Sequence, residues 1–185
     1  MASAAAFLST LPWASFSTIV SDFSFRPPFD NVNPFTGQRE IEQWDVGGTA
    51  LTHRSFVRLT AEAQGSKGWL ISQQPFTLNE WSAMLELRAS GSSQHLYGDG
   101  LAIWLVKAHD HIEGPVFGRE DKWNGVGIFF DTFQNIDFSH HHKHPYIYAM
   151  TNDGMRAPKT ILTLTPIRES KHGVLATSPA LRLSP

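Results

Sequence analysis

Leu101–Val106 reads LAIWLV and Val126–Phe130 reads VGIFF, two short runs that are apolar on both faces. Runs of this length, without helical periodicity, are expected as strands buried between two layers. Tyr146–Met150 has the same character. Trp81–Leu87 instead alternates, with Trp81, Ala83, Leu85 and Leu87 on one side and Ser82, Met84 and Glu86 on the other. That pattern predicts an antiparallel strand with one wetter face. Gly, Pro and Asn punctuate these runs, as at Asn152–Gly154, where a tight turn is expected. Together they predict an all-β chain built as a sandwich.

Both buried runs abut oxygen-bearing side chains. Gly98-Asp99-Gly100 precedes the first, and Asp131, Asn135 and Asp137 follow the second with Phe133 among them. On a looping backbone the second cluster gathers carboxylate, amide and main-chain oxygens around one point. A hard cation such as Ca²⁺ takes about six to eight such oxygens. Asx turns, in which Asp and Asn bind nearby backbone N–H groups, account for the same spacing equally well. Asp99 between two glycines is an exposed acceptor on a backbone free to bend sharply, and is also ordinary turn chemistry.

The 185 residues, 41% hydrophobic and 12% aromatic, suit one domain with a real core that leans towards β structure. A net charge of −2 offers no basic face for nucleic acid. With no cysteine, a disulfide framework and thiolate metal sites are excluded. No run approaches the ~18 consecutive apolar residues of a membrane-spanning helix.

An ordered set of motifs makes the chain resemble the L-type (legume-like) lectins, the intracellular mannose-binding cargo receptors of the endoplasmic reticulum and Golgi. The motifs are WDVGGTAL at Trp44–Leu51, VRLT at Val57–Thr60, GDGLAIW at Gly98–Trp104, GPVFG at Gly114–Gly118, WNGVGIFFDTFQN at Trp123–Asn135 and PYIYAMTNDG at Pro145–Gly154. The resemblance implies a legume-lectin (concanavalin A-like) β-sandwich of two antiparallel sheets. It implies calcium-dependent binding of high-mannose N-glycans on glycoproteins, in the lumen of the early secretory pathway. It assigns calcium to Asp131, the Phe133 carbonyl and Asn135, with Asp137 as a lesser ligand. Sugar falls to Asp99, Asn135, Phe133 and Ser66, the last in the loop after VRLT. It further implies a cis peptide at Gly98–Asp99. No membrane span lies in this chain, whereas such receptors are often membrane-anchored.

The resemblance also divides the chain. Residues 1–21 are expected to be a leader or poor signal peptide: the Ala-rich start lacks a basic region, and Pro12 interrupts its apolar stretch. Residues 22–154 are expected to form the lectin-like domain. Residues 155–185 read as a divergent, disordered tail, in which Thr160–Thr165 has the makings of one short strand. The family's later Asp-His segment and its closing Gly-rich loop have no match there, so the sandwich is expected to be incomplete at its C-terminus.

Two rival readings belong to other classes. A glucanase-like glycoside hydrolase on the same sandwich needs two carboxylates about 5–5.5 or 6.5–9.5 Å apart. Glu113 and Glu120 lie in loop-like sequence and Glu86 stands alone on its strand, so no such pair is evident and no enzyme is expected. The other rival is a fragment that binds nothing. His140, His141, His142 and His144 suggest a metal or pH-sensing cluster, but consecutive histidines on an extended chain cannot all face one ion. A solvated loop is the expectation there.

Overall fold

The computed structural model describes residues 2–9, 19–78, 81–89, 98–107, 111–133, 146–155, 159–164, 169–170 and 173–174. The chain divides into two compact units, Met1–Ala89 with Ser170–Pro185, and Ser90–Glu169.

In the first unit, strands β1 (Ala2–Ser9), β2 (Trp44–Gly48), β3 (Leu51–Thr52), β4 (Val57–Arg58), β5 (Gly68–Ser72) and β6 (Ser82–Ala89) appear in chain order. They form an antiparallel sheet in the order β3-β4-β1-β6 and a ribbon of β2 with β5. Ala2–Ser9, inside the stretch expected to be a leader, pairs along its whole length with β6, from Ala2 opposite Ala89 to Ser9 opposite Ser82. On β6 the expected alternation holds: Leu87 is buried while Met84 is 63% exposed.

Phe25, Phe29, Ile41 and Val57 form the core of this unit, with Trp44, Val46, Leu70 and Leu85 packed against it. Phe25 meets Trp44 edge to face at 5.1 Å, a preferred aromatic geometry. Asn33 accepts the N–H of Phe35 (2.9 Å) and of Thr36 (3.0 Å) on its Oδ1, an Asx turn.

In the second unit, β7 (Gly100–Val106), β8 (Glu113–Val116), β9 (Asn124–Asp131), β10 (Tyr146–Asp153) and β11 (Lys159–Leu164) follow. Four of them form an antiparallel sheet in the order β11-β10-β9-β7. The runs apolar on both faces, Leu101–Val106 and Val126–Phe130, are neighbours here, with Ile103 opposite Ile128. Period-2 alternation puts Trp104, Phe129 and Tyr148 on one face and Leu101, Ile103, Ile128 and Ile147 on the other.

The aromatic face is closed within this unit by Trp123 and by Phe117 at the turn after β8. Trp104 meets both Trp123 and Phe129 edge to face at 5.1 Å, and Phe117 lies 5.2 Å from Phe129. Phe129 is fully buried and stacks on Tyr148 at 4.9 Å. Arg119 is buried beside them, 6.0 Å from the Trp104 ring. A β-carbon on Gly127 would come within 2.8 Å of the Trp104 and Phe129 rings, so only glycine fits beneath this cluster.

One expectation about the end of the sheet changes. β10 runs on through Asp153, because Asn152 and Asp153 still find partners in Gly125 and Asn124. Asn152 is buried and its amide donates to the Asp121 carbonyl at 2.9 Å, which holds it in the strand. The bend begins only at Gly154, whose φ is +81°. On its far edge β10 is paired with β11, in the stretch expected to hold one short strand, from Ile147 opposite Leu164 to Thr151 opposite Lys159. No helix among the described residues is long and apolar enough to cross a membrane.

Candidate functional site

The site assembles at one end of the second unit's sheet. Because β7 and β9 are antiparallel, the start of the first lies beside the end of the second, and Gly100 is paired with Asp131. Gly98 and Asp99 lie immediately outside β7, and Thr132 and Phe133 immediately outside β9. Sequence positions more than thirty residues apart therefore become neighbours through strand register alone.

Two hydrogen bonds tie these loop segments together. The Thr132 N–H donates to the Asp99 carbonyl at 3.2 Å. Its hydroxyl donates to the Gly98 carbonyl at 2.7 Å. The backbone can make this turn because Gly100 has φ +131°, and a β-carbon there would sit 2.0 Å from the Phe130 carbonyl oxygen. The Gly98–Asp99 peptide, expected to be cis, is not cis in this structure; among the described residues the cis bond is Pro27–Pro28.

The two carboxylates sit in different surroundings. Asp99 is exposed. Asp131 is only 8% exposed, and its Oδ1 accepts the Phe133 N–H at 3.1 Å. That contact is an Asx turn, one of the two roles foreseen for this loop, and it places the Phe133 backbone beside the carboxylate. On its other side Asp131 is paired with Tyr146. Burial raises the pKa of Tyr146, and the nearby negative charge of Asp131 raises it further. Tyr148 is raised more strongly, first by burial and then by Tyr146 and Asp131.

Of the residues expected to bind calcium or sugar, the structure thus brings Asp99, Asp131 and Phe133 to one sheet end. Asn135 and Asp137 lie outside the described residues, as do His140, His141, His142 and His144. Ser66 belongs to the first unit, on the loop between β4 and β5, where its N–H donates to the Ala63 carbonyl at 3.3 Å. The base of that loop is held by Thr49, whose hydroxyl donates to the Lys67 carbonyl at 3.0 Å and lies 3.3 Å from the Leu59 carbonyl. Among the described residues no three His, Cys, Asp or Glu side chains converge on a common point. Thr132 and Tyr146 were not foreseen as parts of the site. Both stand in stretches that drew notice, but only the register of β7, β9 and β10 shows what they face.

The model of the legume-like lectin family matches residues 19–160. The chain is 36% identical over 135 residues to VIP36-like protein from Mus musculus, covering 72% of this chain and 37% of that one. It is 33% identical over 119 residues to vesicular integral-membrane protein VIP36 from Canis lupus familiaris, covering 64% of this chain and 33% of the relative. The chain therefore spans well under half of these relatives' length. Among solved structures, the Ca²⁺/Man-bound VIP36 exoplasmic/lumenal domain superposes with a TM-score of 0.64 at 29% identity, covering 74% of this chain and 54% of the other. The metal-free form gives 0.68 at 26% identity, covering 82% and 66%. With its antiparallel sheets and this structural likeness, the all-β fold is of the legume-lectin class, and the chain belongs to the legume-like lectin family.

Proposed function

We propose that this chain is a calcium-dependent lectin for high-mannose N-glycans on glycoproteins, acting in the lumen of the early secretory pathway. The observation that carries the reading is that Thr132, next to the buried carboxylate Asp131, is hydrogen-bonded to the loop end that carries an exposed carboxylate, Asp99. Family membership and the calcium- and mannose-bound VIP36 structures support it.

The donors present suit a hard cation. Asp131 offers a buried carboxylate, and the Phe133 backbone is held beside it. Asn135 would complete the set with a side-chain oxygen, and Asp137 is a further candidate. Bound there, calcium supplies a fixed positive charge and no acid–base or redox chemistry. Asp99 then accepts hydrogen bonds from sugar hydroxyls, Asn135 serves sugar and cation together, and Phe133 offers a ring for the apolar face of the sugar. Ser66 is proposed as an additional sugar contact.

These residues bind and orient rather than react, so the function proposed is recognition and not turnover. Residues 22–154 are proposed as the lectin-like domain and residues 155–185 as divergent; within residues 1–21, the stretch expected as a leader or poor signal peptide, Ala2–Ser9 pairs with β6. A glycan array probed with and without a chelator tests the reading. Signal restricted to high-mannose glycans and lost on chelation is expected; retention in chelator would contradict it.

A further inference from the structure

Thr132 stands between two proposed calcium-binding positions, Asp131 and Phe133, yet both of its own donors point elsewhere. The hydroxyl donates to the Gly98 carbonyl at 2.7 Å and the N–H to the Asp99 carbonyl at 3.2 Å. Two bonds from one residue to consecutive carbonyls fix both the position and the tilt of the peptide that carries the Asp99 side chain. The chain has little slack to absorb a shift on either side. Asp131 is held in register with Gly100 and Tyr146, and Gly100 abuts the Phe130 carbonyl.

From this geometry we infer that Thr132 is a positioning residue that transmits the state of the cation site to the sugar-binding carboxylate, coupling calcium to mannose through the Thr132–Gly98–Asp99 clamp. The inference rests on the lectin reading above. With Asp131 and the Phe133 carbonyl held by the cation, the residue between them is immobilised, and the Gly98–Asp99 peptide with it. Without the clamp, Asp99 swings on a glycine-flanked turn and meets the sugar without preorganisation. Coupling of this kind is reciprocal: mannose tightens calcium by the same factor that calcium tightens mannose.

The test uses the full chain, calcium and a high-mannose oligosaccharide, titrated calorimetrically. Thr132→Val keeps the β-branched shape and loses the hydroxyl, whereas Thr132→Ser keeps the hydroxyl. Both are first checked for wild-type melting without calcium; should the valine variant fail, Thr132→Ala, which also lacks the hydroxyl, replaces it. For Thr132→Val we expect calcium affinity within about twofold of wild type and mannose affinity at saturating calcium lowered about tenfold, the upper end of one lost neutral hydrogen bond. The reciprocal enhancement of calcium binding by mannose should shrink in parallel, and Thr132→Ser should restore all three values.

Unchanged mannose affinity in Thr132→Val would overturn the inference. A parallel loss of calcium affinity would do the same, by placing Thr132 in the cation site itself. So would a serine variant as weak as valine, which would show that the hydroxyl is not the coupling group. A wild-type chain that binds neither calcium nor mannose would instead overturn the lectin reading, and the coupling with it.

Discussion

Gly100, the first residue of β7, faces Asp131, the last residue of β9, so the start of one strand lies against the end of the other. Alanine at position 100 would bring a β-carbon 2.0 Å from the Phe130 carbonyl oxygen on a backbone at φ +131°. Gly100→Ala is expected to destabilise the fold by about 1–3 kcal/mol, as overpacking usually does. Chemical denaturation measures this, and an unchanged midpoint would show that the pairing of β7 with β9 is looser than described.

Asp99→Asn and Asn135→Ala should separate sugar binding from calcium binding. Asp99 is exposed and proposed to meet only the sugar, so its amide variant should keep calcium and lose about 1.5–3 kcal/mol of mannose affinity. Asn135 is proposed to serve both, so its alanine variant should lose both mannose binding and thermal stabilisation by calcium. That stabilisation amounts to about 2.7 kcal/mol at a hundredfold excess over the dissociation constant. Full calcium stabilisation in Asn135→Ala would remove it from the cation site.

Much of the second unit is written in its local pattern. Leu101–Val106 and Val126–Phe130 carry apolar residues on both faces, and in the structure these residues are half-buried or buried. The pairing of Ala2–Ser9 with β6 is not written there. An alanine-rich run has little strand preference, and partners some eighty residues away leave no mark on local sequence. The site divides in the same way. Asp99 and Asp131 stand out by residue type and neighbours, whereas Thr132 acquires its role only from the offset between two strand ends.

Alkaline pH should weaken the fold through Tyr146 and Tyr148. Burial raises both pKa values above that of an unfolded tyrosine, about 10, with the Asp131 charge adding to the shift. Below that pH the phenols are neutral in both states and nothing is lost. As pH rises past it, the unfolded chain sheds these protons first, so stability falls towards the folded values. Denaturation at pH 8 and pH 10.5 should show the decline, and Tyr148→Phe should flatten it. An equally steep decline in that variant would assign the effect to other groups.

Amide hydrogen exchange should be slowest in β9 and β10, the two inner strands of the four-stranded sheet, each paired on both sides. Slower exchange in the peripheral strand β11 than in Val126–Phe130 would contradict the strand order.

The most direct test of the lectin account is calorimetric titration of the full chain with a high-mannose oligosaccharide, first in calcium and then in a chelator. The account predicts saturable binding in calcium that is abolished by the chelator and restored when calcium is returned. Equal binding in both conditions, or calcium binding without any sugar binding, would contradict it.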